Sequence, residues 1–296
     1  MSDDDLILHR AADADRSAPR APDRPIGGDT PRDVRIERAM RLVKGLTVTG
    51  VQLSARMWAN HPEHDWRGPR VDHARALIIV GGYAGGVDFY RLLRRSYEAN
   101  GIQRVAVMPP VDNAFADIRE SAERLGTMVR LLGGDVDVIG HSEGGLVARW
   151  YVKELGGDEH VRHVVTLGSP NRGLPVRIED YPFLERSATA RRIHQVVDAV
   201  ANRTVLPIAS VAVRQMLRGS EFMETLGDTV PDGPTEYLAV RSWWDGVVPY
   251  SASDLPSGDN VANVALTAGP RLSNHAAIAS TSSEAFEATM TFIRRA

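Results

Sequence analysis

Short apolar runs alternate with helical stretches from residue 76 almost to the end of the chain, and this alternation limits the fold more than any other feature. Ala76-Leu77-Ile78-Ile79-Val80 has no polar member, as a strand buried on both faces requires. The pattern then predicts a helix over 87–99 closed by Asn100-Gly101, a strand over 105–108, and a helix over 116–132 ended by Gly133-Gly134. A strand over 136–139, a helix over 142–155 closed by Gly156-Gly157, and a strand over 164–167 come next. Two later strands are predicted over 237–240 and 261–266, and a terminal helix over 282–294. Such alternation implies right-handed crossovers and a mostly parallel central sheet with helices on both faces, an α/β class. Sheets of this kind carry their chemistry at the carboxyl ends of the strands, so the turns that follow strands are where functional residues are expected.

The alternation breaks once, over about 171–234. That stretch has helical patterns of its own near 188–201 and 208–217, too much structure for a plain loop, and reads as a cap inserted over the active end of the sheet. Before residue 76 the character differs again. Residues 1–33 are rich in Asp, Arg, Ala and Pro and read as a disordered or loosely docked tail. Residues 34–75 open on an amphipathic, basic helix with Ile36, Met40, Val43 and Leu46 beside Arg35, Arg38, Arg41 and Lys44. Its apolar stripe suits contact with a membrane surface or a greasy substrate, or packing on the sheet edge, the commoner fate of such a helix. A loop follows with His61, His64, Asp65 and His73, in none of the known metal-ligand spacings, and no metal is assigned. Residues 76–296 form the main domain.

The chain's 296 residues are 43% hydrophobic, enough for one substantial core. A net charge of −3 gives no general attraction to nucleic acid. With no cysteine there are no disulfides, thiol nucleophiles or Cys-based zinc sites. The acidic opening Met1-Ser2-Asp3-Asp4-Asp5 lacks the form of a signal peptide, and no stretch is long and apolar enough to span a membrane, so a cytoplasmic location is expected.

The sharpest local signal is Gly140-His141-Ser142-Glu143-Gly144, a G-x-S-x-G pattern set between a predicted strand and a predicted helix. So abrupt a turn strains the serine backbone and leaves no room for side chains two positions either side, where Gly140 and Gly144 stand. It lifts the Ser142 hydroxyl clear of the sheet, at a helix start whose amides favour negative charge. A serine nucleophile needs a histidine base and an acid to orient it, and in this context the chain order is serine, acid, histidine. Of the histidines after Ser142, His160 and His163 come too early to leave a strand for the acid, and His194 lies in the cap. His275, after the last strand and before the last helix, is the choice. Asp245 stands at the exit of the strand before it, whereas Asp180 and Asp198 fall in the cap and Asp254 and Asp259 further down the loop. An oxyanion hole would take one amide from Glu143 and a second from Tyr83, in the glycine-rich turn Gly81-Gly82-Tyr83-Ala84-Gly85-Gly86.

These residues resemble bacterial lipases and esterases of the α/β-hydrolase superfamily, in particular actinobacterial-type triacylglycerol lipases. The likeness covers roughly residues 76–294. It rests on the stretch from Gly140 to Arg149, on Leu167-Gly168-Ser169-Pro170-Asn171-Arg172-Gly173, on Leu217-Arg218-Gly219-Ser220-Glu221-Phe222, and on Asp245-Gly246-Val247-Val248-Pro249. Those enzymes usually carry His-Gly ahead of the oxyanion residue; here the pair is Gly81-Gly82, a change that bears on the rigidity of that loop. The resemblance implies an α/β-hydrolase fold and hydrolysis of a small acyl ester or lipid through an acyl-enzyme, with no cofactor. Apolar cap residues, Leu206, Val211, Met216 and Phe222 among them, are candidates for an acyl pocket. The same side chains would serve a thioesterase or an acyltransferase. A catalytically silent binding protein is the reading from another class.

Overall fold

The apolar runs pair into one sheet. The computed structural model describes residues 62–68, 73–83, 85–114, 116–175 and 210–295. Within them lie β1 (Ala76–Val80), β2 (Val105–Met108), β3 (Val136–His141), β4 (Val161–Leu167), β5 (Glu236–Ser242) and β6 (Val261–Leu266), in the spatial order β2-β1-β3-β4-β5-β6. Every pairing is parallel, with Ile78 opposite Ala106 on one side and Val138 on the other. The helices among these residues are α1 (Arg91–Ala99), α2 (Ile118–Leu132), α3 (Glu143–Glu154), α4 (Val211–Gln215), α5 (Glu221–Leu226), α6 (Tyr250–Ser253), α7 (Pro270–Ser273), α8 (His275–Ile278) and α9 (Ser283–Ile293).

Side chains alternate across a strand, so each strand feeds two cores. Ala76, Ile78 and Val80 of β1 pack with Leu125 and Val129 of α2 and Leu146 of α3, while Leu77 and Ile79 pack with Tyr97 of α1 and Phe286 and Met290 of α9. Helices therefore cover both faces, as the uniformly apolar strands require. The chain moves outward from β1 to β2 and then crosses back over β1 to lay down β3. Outside the carboxyl ends of β1 and β3 it leaves the crevice that open α/β sheets use for ligands.

Two departures from the sequence reading have physical causes. Residues Val87–Tyr90 form a tight 3-10 turn ahead of α1, where no side chain caps the helix start. β4 begins at Val161 because His163, polar and so unlike a core residue in sequence, is buried against Asp137 of β3. Asp137 has no exposed surface and gathers His163 Nδ1 at 2.7 Å, His73 Nε2 at 2.6 Å and Arg75 Nε at 3.1 Å, at the end of the sheet opposite the crevice. Burial pushes its pKa up, but the histidine hydrogen bonds and the Arg75 charge outweigh it and hold it down at about 2.

The tail over 1–33, the amphipathic helix over 34–58 and the cap helix over 188–201 lie outside the described residues, as does Leu206. Of the cap, the flanks 171–175 and 210–234 are described. The expected helix over 208–217 is shorter, as α4, and its Gln215 Oε1 accepts the Ile118 amide at the start of α2. Leu174 pairs with Leu217 across the two flanks, its amide donating to the Met216 carbonyl at 2.7 Å. Among the described residues no helix is long and apolar enough to cross a membrane.

Candidate active site

Ser142 sits between β3 and α3 with φ 54° and ψ −122°, a backbone region that disfavours residues with a Cβ and costs about 1–3 kcal/mol. The flanking glycines are there for space. A Cβ on Gly140 would stand 2.4 Å from the Gly144 backbone, and one on Gly144 would stand 2.2 Å from the Val80 carbonyl oxygen of β1. The turn is held by the Ser142 amide donating to the Leu167 carbonyl at 3.0 Å.

The structure brings the three side chains chosen from the sequence together. His275 Nε2 lies 3.0 Å from Ser142 Oγ, and His275 Nδ1 lies 2.7 Å from Asp245 Oδ2. A carboxylate accepts, so Nδ1 carries the imidazole proton and Nε2 is the acceptor for the serine O–H. Each partner is itself fixed. Asp245, buried in the turn after β5, takes the Val247 and Val248 amides on Oδ1 at 2.9 and 2.8 Å, which leaves Oδ2 for His275. Beside it Trp243 stacks on Tyr250 at 4.0 Å, under the Arg241 guanidinium. His275 opens α8, whose start is capped by Asn274 Oδ1 receiving the Ala277 amide.

One contributor was not singled out from the sequence as a site residue. Gly168, at the exit of β4, has φ 55°, and a Cβ there would stand 2.8 Å from Asp245 Oδ2 and 3.3 Å from His275 Nδ1. Its missing side chain makes room for the acid–base contact. The sequence signal for it was a glycine one residue past a strand.

The turn after β1 closes on the nucleophile, for a Cβ on Gly82 would lie 2.6 Å from Ser142 Cβ. The Gly82 amide donates to Tyr90 Oη at 2.7 Å, so it is already committed, and Tyr83 is the next residue along. The Tyr83 phenol, pushed up by burial, bonds to Ser210 at the start of α4. Glu143, first residue of α3, is 1% exposed, and neither carboxyl oxygen has a hydrogen-bond partner among the described residues. Burial raises its pKa to about 8, so it is neutral at neutral pH.

The pocket candidates fare differently. Met216 and Phe222 belong to the core under α3, with Phe222 stacked on Trp150 at 4.7 Å. Phe222 packs there because α5 turns its apolar side toward α3, and Met216, at the end of α4, is buried in the same core. Val211 is exposed at the start of α4. The loop histidines are dispersed, His64 facing the Ser280 carbonyl and Ser283 hydroxyl while His73 faces Asp137, and His61 lies outside the described residues.

A family model described as palmitoyl protein thioesterase matches residues 101–216, less than half of the chain, including the elbow but neither Asp245 nor His275. No curated protein matches the sequence. Among solved structures, the mature form of Bacillus licheniformis lipase BlEst2 is similar with a TM-score of 0.51 at 16% identity, over 79% of this chain and 96% of that one. A structure of the metagenome-derived lipolytic enzymes LipS and LipT gives 0.51 at 16% identity, over 76% and 95%. Aspergillus fumigatus lipase B gives 0.48 at 16% identity over 69% of this chain; the match spans 47% of that lipase, about half its length. At such identities the likeness is one of fold. The chain has the α/β-hydrolase fold.

Proposed function

We propose that this protein is a serine-dependent acyl hydrolase acting on carboxylic esters. The observation that carries the reading is the unbroken run of contacts from Asp245 Oδ2 through His275 to Ser142 Oγ, at 2.7 and 3.0 Å. Ser142 Oγ attacks the substrate carbonyl carbon while its proton passes to His275 Nε2. The negative charge on the carbonyl oxygen is met by the amides of Glu143 and Tyr83, and Asp245 stabilises the imidazolium. Collapse expels the alcohol, which takes the proton from His275, and leaves an ester on Ser142. Water, deprotonated by the same imidazole, then releases the acid and restores the serine. The neutral Glu143 side chain suits this chemistry, since an unpaired carboxylate so close would oppose the oxyanion.

A thioester substrate is the second reading, favoured by the palmitoyl protein thioesterase match over residues 101–216. The same residues would act, with a thiol as leaving group. Labelling with a fluorophosphonate probe tests both, with Ser142→Ala as control. The wild type is expected to label and the variant to stay unlabelled. An unlabelled wild type would instead point to a silent binding protein. Rates on p-nitrophenyl esters of increasing chain length, set against an acyl-coenzyme A thioester, then separate the two substrate classes.

A further inference from the structure

Two buried side chains with no part in the proton transfers above join the halves of the site. Tyr90 is 0% exposed and His141 5%. The Gly82 amide donates to Tyr90 Oη at 2.7 Å, Tyr90 Oη lies 2.9 Å from His141 Nδ1, and His141 Nε2 lies 2.9 Å from the main-chain oxygen of His275. The direction of every bond follows from the two ends. A carbonyl oxygen only accepts, so the His141 proton is on Nε2; Nδ1 is then a bare acceptor, and the Tyr90 hydroxyl must donate to it. The phenol's lone pair is thereby turned to the Gly82 amide. Phe89 stacks on the His141 ring at 5.9 Å, and the rings of His141 and His275 are 4.8 Å apart. Burial, with the His275 charge adding to it, drives the His141 pKa down to about 3, so the ring keeps its single proton when His275 is charged.

We infer that Tyr90 and His141 are positioning residues, a single hydrogen-bonded strut that sets the turn after β1 and the main chain of His275 at fixed places around Ser142. The inference rests on the acyl-transfer reading of Ser142 and His275. The strut answers the lack of the usual His-Gly pair, because the Gly81-Gly82 turn is tethered through Tyr90 Oη. Tight placement matters here, since Gly82 is already in close contact with the nucleophile and a misplacement of about 1 Å can lower turnover on the order of 100-fold. A buried network of this kind acts as a unit, so breaking it at either end should have much the same effect.

Tyr90→Phe removes one oxygen and keeps the ring, so the fold is retained. His141→Asn can still accept from Tyr90 but no longer reaches the His275 carbonyl, whereas His141→Gln places an amide N–H near the Nε2 position. Steady-state kinetics on a p-nitrophenyl ester should show kcat lowered about 10- to 100-fold in Tyr90→Phe and His141→Asn, with KM within about twofold. His141→Gln, which restores the donor toward His275 but leaves Tyr90 Oη without its acceptor, should lose kcat to a similar extent. The double variant Tyr90→Phe/His141→Asn should be no slower than the slower single variant. An active wild type with Tyr90→Phe unchanged in kcat overturns the inference, as do losses that multiply in the double variant. A wild type that neither labels with fluorophosphonate nor turns over the ester overturns the acyl-transfer reading instead.

Discussion

Replacing Glu143 by glutamine removes an ionisable group while keeping the shape of the protonated acid. The unfolded chain loses this proton near pH 4.5, but the folded protein holds it to about pH 8, because burial disfavours the carboxylate and no partner among the described residues offsets it. Over that interval the native state binds more protons than the unfolded state, so this group makes stability fall as pH rises. Each pH unit removes about 1.4 kcal/mol, and the penalty is on the order of 3 kcal/mol at pH 7, levelling off near 5 kcal/mol above pH 8. Glutamine cannot ionise and escapes it, and every other titrating group is common to both proteins. Urea unfolding of wild type and Glu143→Gln, at steps between about pH 5 and pH 9, measures the difference. The slope is the prediction: relative to wild type the variant gains about 1.4 kcal/mol per pH unit from pH 5 to pH 8 and little beyond. A difference that stays constant over that range would refute the reasoning, for the carboxyl would then be ionised and compensated in the folded state.

Asp137→Asn should destabilise by about 2–3 kcal/mol at neutral pH, because it takes the negative charge away from the Arg75 guanidinium and leaves an amide that cannot accept from Arg75, His73 and His163 together; thermal or urea melts check this. The folded pKa of Asp137 lies below its unfolded value of 3.8, so its contribution is present above that pH and is lost as pH falls through about 2, where the wild type's advantage should vanish. Gly168→Ala should lower kcat on the order of 100-fold with little change in KM, as the added methyl pushes Asp245 and His275 apart. Its left-handed backbone adds about 1–2 kcal/mol of destabilisation, read from a melt.

The parts legible in the sequence are those in which one residue type answers to one demand. β1 and β2 end where they were expected because buried parallel strands tolerate no polar residue, and the elbow was legible because its glycines and serine stand between a strand and a helix. Asp245 and His275 followed from chain order and strand exits. The rest needed three dimensions. Nothing in the sequence joins Tyr90 to His141, 51 residues away, or fixes which nitrogen carries the proton. His163 was left outside the strand over 164–167 because the partner that makes its burial tolerable, Asp137, lies on another element. Phe222 and Met216 had the right apolarity for a pocket, yet a side chain facing substrate and one facing a core look alike in one dimension. One-turn helices such as α6, α7 and α8 are too short to show a period.

The order of strands also sets where this protein would fail first. Ser142 leaves β3, held by a neighbour on each side, but His275 follows β6, which has one neighbour among the described residues and whose residues, Leu266 apart, keep some contact with solvent. Outer strands open at lower free energy than inner ones. Peeling of that margin would carry the imidazole away while the middle of the molecule stayed intact, so turnover would disappear at a lower urea concentration than the circular dichroism of the sheet. Activity in this architecture would serve as a gauge of its weakest border rather than of its centre.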